Sequence, residues 1–257
     1  MNTQSIVNKR VAIVYFAYIN ASKDYKKLIR DQISDVESSG VLSVADIFVE
    51  VNISDDINCK ASLDNFFSSL NIDFKNIHYT KENSFEYEGI SKLYDLALSQ
   101  AYDYLCYFHT KGMSYKKKRF FNRSPREIVL TYLNFCNYKR IINIFDSNEE
   151  ICKIAPFPGF DDEGDIPNKW CWFNFFWIKS SFASKLDKPI KTSDRFYYES
   201  WINTLSSHNL CYSLYSKQIC GFTGPQATRI LKKLSKFYKL SFPFSRFYIK
   251  LMYFIHK

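Results

Sequence analysis

Glycine is scarce, with seven residues in 257. None of them forms Gly-x-Gly-x-x-Gly or a P-loop, so the two best-known glycine-rich phosphate cradles are excluded, and long glycine-rich loops with them. The seven cysteines (59, 106, 136, 152, 171, 211 and 220) are scattered and odd in number, and they include no Cys-x-x-Cys pair. That spacing argues against zinc and against a disulfide framework, and favours free, mostly buried thiols in a reducing cytosol. No uninterrupted apolar stretch reaches membrane-spanning length, and the opening MNTQSIVNKR has no apolar signal core. The expectation is therefore a cytoplasmic protein, neither exported by that route nor spanning a bilayer.

Aromatic residues, by contrast, are abundant, at 18% with 19 Tyr and 24 Phe. A chain so rich in large apolar side chains is not disordered, and its length permits one sizeable α/β domain. The formal net charge of +9 points to an anionic partner, whether nucleic acid, phosphorylated substrate or anionic membrane. Acidic residues vanish from Thr228 onward, where Arg229, Lys232, Lys233, Lys236, Lys239, Arg246 and Lys250 interleave with apolar and aromatic residues. A basic amphipathic segment of this kind favours an anionic membrane surface, each Lys or Arg adding about 1 kcal/mol. The competing reading is a terminal helix packed on the domain. The chain is accordingly divided into a domain at 1–225 and a tail at 226–257.

Within the domain, apolar runs alternate with helical patterns. Val11 to Tyr18 reads as a buried strand, followed by caps at Asn20, Ser22 and Asp24 and a helix through Tyr25, Leu28, Ile29 and Ile33. Val44 to Val51 is a second strand, Ala61 to Leu70 a short helix, and Asn76 to Thr80 a third strand. A polar loop, residues 81–89, then leads into a helix with Ile90, Leu93, Tyr94 and Ala97 on one face. Ser124-Pro125-Arg126-Glu127 opens a helix expected to run to about Phe145. Ile151 to Ala155 and Cys211 to Tyr215 are further strands, and a helix is expected from Asp194 to about Leu205. This alternation predicts a Rossmann-like α/β fold with a mostly parallel sheet.

The central stretch runs from Asp103 to Gly112, where an apolar strand ends in His109, Thr110, Lys111 and Gly112. In such sheets the carboxyl edge binds ligands, so a cationic tip there suits a phosphate-bearing substrate. The basic run Lys116 to Arg119 follows closely. The acidic loop Asp161-Asp162-Glu163-Gly164-Asp165 reads first as a solvated turn, with a divalent-cation site as the alternative. In the aromatic run from Trp170 to Ile178, Asn174 is a lone polar residue that must find a partner in the backbone or in a ligand.

Three segments together, Tyr107-Phe108-His109-Thr110-Lys111-Gly112, Phe173-Asn174-Phe175-Phe176-Trp177 and Arg195-Phe196-Tyr197-Tyr198-Glu199-Ser200-Trp201, resemble a group of bacterial surface-polysaccharide glycosyltransferases. These are enzymes of capsule, O-antigen and rhamnan synthesis, and their pattern reads Tyr-x-His-Thr-Lys-Gly, Gly-Asn-Phe-Trp-Trp, Arg-x-x-x-Glu-x-Trp. The likeness covers roughly residues 75 to 205. It departs from the pattern where Phe173 replaces Gly and Phe176 replaces Trp, so the acceptor is not carried over. The resemblance implies a GT-A-like domain and a nucleotide-sugar donor.

On that reading His109, Thr110, Lys111, Gly112, Glu88 and Gly89 meet the donor, with Lys111 and His109 neutralising the diphosphate in place of a metal. Glu199 is the candidate base, with Asp194 in reserve, and Arg195 either pairs with Glu199 or orients it. Asn174, Trp177, Arg195 and Trp201 face the acceptor or sugar, although core packing is the default for both tryptophans. No cofactor is expected. The implied partners are a lipid-linked glycan acceptor, an anionic membrane surface on the inner face of the cell membrane, and other polysaccharide-assembly enzymes. Competing readings are a nucleic-acid-binding module, for which no known motif is present, and a catalytically inactive membrane-associated scaffold.

Overall fold

A computed structural model describes residues 10–54, 59–111, 113, 123–159, 171–203, 210–215 and 224–237. At its centre is strand β1 (Val11–Tyr18), buried on both faces. Val11, Ile13, Tyr15 and Ala17 enter one core, while Ala12, Val14 and Phe16 enter the other. The period of two in an all-apolar run is what a doubly covered parallel strand requires.

Helix α1 (Tyr25–Ser39) begins where the Asp24 carboxylate accepts the Lys27 N–H at 3.0 Å. It ends at Gly40, whose φ of 79° few other residues adopt without strain. Then come β2 (Ala45–Asn52), α2 (Lys60–Ser68), β3 (Phe74–Thr80), α3 (Tyr87–Leu98) and β4 (Tyr104–His109). Helix α4 (Pro125–Phe135) is capped by Ser124 Oγ, which accepts the Glu127 N–H at 3.2 Å. The helix expected to continue to Phe145 instead breaks at Cys136 and Asn137 and restarts as α5 (Tyr138–Ser147). Next are β5 (Ile151–Ala155), β6 (Phe176–Lys179), the short helices α6 (Ser180–Ala183) and α7 (Tyr197–Ser200), β7 (Leu210–Ser213) and α8 (Gly224–Phe237). The longer helix expected from Asp194 is one turn of α7 followed by a 3-10 turn, Trp201–Asn203.

The seven described strands lie in the order β3-β2-β1-β4-β6-β5-β7. β6 is antiparallel to both its neighbours, and the other pairings are parallel. This is the mixed α/β, mostly parallel sheet that the alternation of elements predicts. Strand order reverses beside β1: β2 and β3 extend to one side and β4 to the other. The carboxyl ends of β1 and β4 therefore flank a topological switch point.

Helix α8 crosses the expected division of the chain. The boundary drawn at 225 falls inside the helix, and Ala227, Ile230, Leu231 and Leu234 are buried in the same core as Val129, Leu130 and Leu133 of α4. The apolar face is thus occupied by the domain, while Arg229, Lys232 and Lys233 are exposed. The rest of the expected tail, 238–257, lies outside the described residues. No described helix is long and apolar enough to cross a membrane. Cys106, Cys136, Cys171 and Cys211 are free thiols, with Cys171 and Cys211 buried and their sulfurs 3.9 Å apart.

Candidate active site

The end of β4 is stitched to the end of β1 by Thr110. Its Oγ1 accepts the Tyr18 N–H at 2.8 Å, and its own N–H reaches the Phe16 carbonyl at 3.0 Å. Thr110 is almost fully buried, so it acts as a latch between strands and is not available to a donor.

His109 is one residue earlier. Its Nε2 is 2.9 Å from the Phe173 carbonyl, so that nitrogen carries the hydrogen. Burial pushes the imidazole below its ordinary pKa, an effect outweighing the nearby Glu86 carboxylate and reinforced by Lys111. Burial therefore favours the neutral ring, which speaks against the expected share of His109 in neutralising a diphosphate.

Lys111 is the cation at this edge. Its ammonium lies 4.1 Å from the centre of the Phe173 ring, a favourable cation–π distance. Burial lowers its pKa; the Glu86 and Glu199 carboxylates oppose that shift, and Arg126 and Arg195 add to it. Opposite it, burial raises the pKa of Glu199, with Lys111 counteracting and Glu86 adding to the shift. Among the described residues neither the Lys111 ammonium nor the Glu199 carboxylate has a hydrogen-bond or ion-pair partner. Arg126 Nε, from the first turn of α4, is also buried without a partner.

The tight turn Trp172–Asn174 closes over this group. Phe173 and Asn174 both have left-handed backbone, at φ 66° and 52°. Asn tolerates that region, whereas for Phe it costs on the order of 1–2 kcal/mol. Phe173 is the position at which the resembled pattern has Gly, the residue that adopts such a φ freely. Asn174 is fully buried; its Nδ2 donates to Glu86 Oε2 at 2.9 Å, and its Oδ1 has no partner. Glu86 also accepts from Tyr107 Oη at 3.1 Å.

Gly89 makes this approach possible. A Cβ there would lie 2.8 Å from Tyr107 Cε2 and Oη and 3.0 Å from Phe16 Cβ. Its role is close packing of α3 on the sheet rather than contact with a donor. Glu88 points elsewhere and pairs with Lys191 at 3.7 Å.

The structure thus gathers His109, Lys111, Asn174, Arg195 and Glu199 into one group and leaves out several expected members. Asp194 is exposed, and its Oδ1 accepts the Phe196 N–H at 2.9 Å, capping a turn. Trp177 and Trp201 are fully buried, their indole N–H groups donating to the Asn134 and Asp187 carbonyls. Neither has a ring face for a sugar, and both pack in the core. Gly112, Lys116 to Arg119 and the acidic loop 161–165 lie outside the described residues. Among the described residues no three His, Cys, Asp or Glu side chains converge as a metal site would.

Sequence reasoning missed Glu86 and Arg126. Glu86 sits in a polar loop beside the more conspicuous Glu88, and Arg126 reads as part of a helix start.

Behind β4 lies a second charged group. The Glu127 carboxylate, fully buried, accepts from Arg123 Nε at 2.5 Å and Nη2 at 3.0 Å, from Gln32 at 2.9 Å and from Thr131 at 2.7 Å. Arg123 also pairs with Asp35 at 2.6 Å. Gln32 donates to the His109 carbonyl at 3.1 Å and accepts from Tyr15 Oη at 2.6 Å.

No protein-family model matches the chain, and no curated protein matches it. Among solved structures it is similar to a protein described as a nucleotide-diphospho-sugar transferase from Desulfovibrio desulfuricans, at a TM-score of 0.38 and 10% identity, covering 76% of this chain and 72% of that one. It is also similar to TarS of S. aureus, at 0.43 and 7% identity, covering 88% of this chain and 39% of that one.

Proposed function

We propose that this protein is a glycosyltransferase that moves a sugar from a nucleotide-sugar donor to a glycan acceptor. The observation that carries this reading is the Lys111 ammonium, without a hydrogen-bond or ion-pair partner among the described residues, beside a carboxylate of raised pKa at the carboxyl edge of the sheet where strand order reverses. Lys111, with Arg126, meets the diphosphate and stabilises the charge that grows on it as the anomeric C–O bond breaks. Glu199 takes the proton of the acceptor hydroxyl as its oxygen bonds to the anomeric carbon, and the bonding pair leaves with the nucleoside diphosphate. Its raised pKa makes it a stronger base than an exposed glutamate.

In this scheme fixed side-chain cations do what a divalent metal does in other glycosyl transfers. A lipid-linked glycan is the acceptor class that goes with the surface-polysaccharide resemblance, while the departures at Phe173 and Phe176 leave the acceptor's identity open. The acid-free stretch after Thr228 and the exposed Arg229, Lys232 and Lys233 support attachment to an anionic inner membrane face.

The test is a thermal-shift screen against UDP-, GDP-, dTDP- and CMP-sugars with and without EDTA, followed by donor turnover. One donor is expected to raise Tm in the presence of EDTA, and Glu199→Gln is expected to keep that shift while losing turnover by about a hundredfold or more. A strict requirement for Mn²⁺ or Mg²⁺ would remove the metal-free part of the scheme, and no shift with any donor would remove the whole.

A further inference from the structure

Three unconnected segments converge on one carboxylate that sequence patterns pass over. Glu86 precedes the first turn of α3, and its Oε2 receives Tyr107 Oη from β4 and Asn174 Nδ2 from the 172–174 turn. Tyr107 is fully buried and its pKa is pushed well up, so it remains a donor. Asn174 is followed back along the chain by Phe173, whose ring underlies the Lys111 ammonium and whose carbonyl takes the His109 N–H. A pull on Asn174 is therefore a pull on the platform beneath Lys111.

We propose that Glu86 is the positioning residue of this site: through Asn174 it fixes the left-handed 172–174 turn, and its charge holds the Lys111 ammonium on the Phe173 ring facing Glu199. The inference rests on the glycosyltransferase reading for its catalytic meaning, but not for its geometry.

The arrangement accounts for two costs that otherwise stand alone. A phenylalanine at φ 66° is strained, and strain of this kind persists only where neighbouring contacts over-determine the backbone. Here the contacts are the Glu86–Asn174 bond on one side and the His109–Phe173 bond on the other. A lysine that burial disfavours also needs a fixed countercharge. The groups facing it are Glu86 from the α3 cap, Glu199 from α7, Arg195 before α7, Arg126 from α4 and His109 from β4. Of the two carboxylates, Glu86 is the one locked in place by hydrogen bonds, which leaves Glu199 free to change its protonation state.

The experiment is competitive acetylation of Lys111 as a function of pH, read by peptide mass spectrometry, in the parent protein and in Glu86→Gln, Glu86→Ala and the exposed control Glu82→Gln. Thermal melts confirm that each variant is folded. Glutamine keeps an acceptor for Asn174 and Tyr107 but removes the charge. The titration midpoint of Lys111 is expected to move to lower pH in Glu86→Gln and to stay in place in Glu82→Gln. In sugar transfer, Glu86→Gln is expected to lose roughly tenfold in kcat, with both limbs of the pH profile displaced toward acid. That follows because the Glu86 charge raises the pKa of Lys111 and of Glu199 alike.

An unmoved or raised Lys111 midpoint in Glu86→Gln would overturn the proposal, since a purely structural role lowers the amount of folded protein without displacing a titration. The labelling needs no substrate. A parent protein that shows the expected midpoints but transfers no sugar would therefore overturn the glycosyltransferase reading alone.

Discussion

Two charged clusters meet at His109, one on its carbonyl and the other on its ring. The first, Arg123, Glu127, Asp35 and Gln32, is almost sealed from water, and each member is paired. The second, Lys111, Glu86, Glu199, Arg126 and Arg195, is partly open. Among the described residues its Lys111 ammonium and Glu199 carboxylate have no hydrogen-bond or ion-pair partner, and Arg126 Nε and Asn174 Oδ1 are buried without one. Buried polar groups that are satisfied build structure, whereas unsatisfied ones at a sheet edge are available to a ligand. The same residue types thus serve opposite ends in neighbouring places.

The largest effect expected from this contrast is on stability. Glu127→Ala leaves the buried Arg123 guanidinium with Asp35 alone and takes the acceptor from Gln32 and Thr131; breaking a buried pair on one side costs about 3–5 kcal/mol, a fall of roughly 10 °C in Tm. Calorimetry on the variant checks this, and a Tm within two or three degrees of the parent would erase the distinction between the clusters.

Lys111→Met should do the reverse. Donor turnover is expected to fall by about a hundredfold or more, while Tm stays within about 2 °C of the parent or rises. The sign follows from linkage: a lysine pKa lowered in the folded state means that the unfolded chain binds more protons. Parent stability therefore rises with pH through the depressed Lys111 pKa, and any advantage of the variant shrinks over the same interval. Melts at several pH values would show whether the difference narrows.

The smallest effect is expected at Arg195→Gln. Arg195 is exposed but lowers the pKa of Glu199, so its loss should move the acid limb of the pH–rate profile upward with little change in Tm. An acid limb that stays in place would take Arg195 out of the site.

Where local chemistry determined structure, the sequence was readable. β1 lies between the residues expected because an all-apolar run has no other place to go, and Asp24 and Ser124 cap the helices as their side chains dictate. The tip of β4 was marked by the change from apolar residues to His109, Thr110 and Lys111. What could not be read was set by distant partners. β6 hides in an aromatic run without period, since it is covered on both faces. Glu86 acquires its role from Tyr107 and Asn174, which are remote in sequence. The lowered pKa of His109 and the burial of Trp177 and Trp201 are properties of the packed interior, invisible in side-chain type alone.

The antiparallel strand β6 also bears on the order in which the molecule can assemble. β1 to β4 can pair as they leave the ribosome, but β4 gains its second neighbour only after Phe176 to Lys179 have been made. Until then the nascent chain carries an open, apolar sheet edge, the kind of surface that invites pairing between molecules. The proposed site is completed later still, when Glu199 is added. Closure of the sheet and completion of the proposed site thus both wait on the second half of the chain, and synthesis that stalls before β6 would leave an open, adhesive sheet edge.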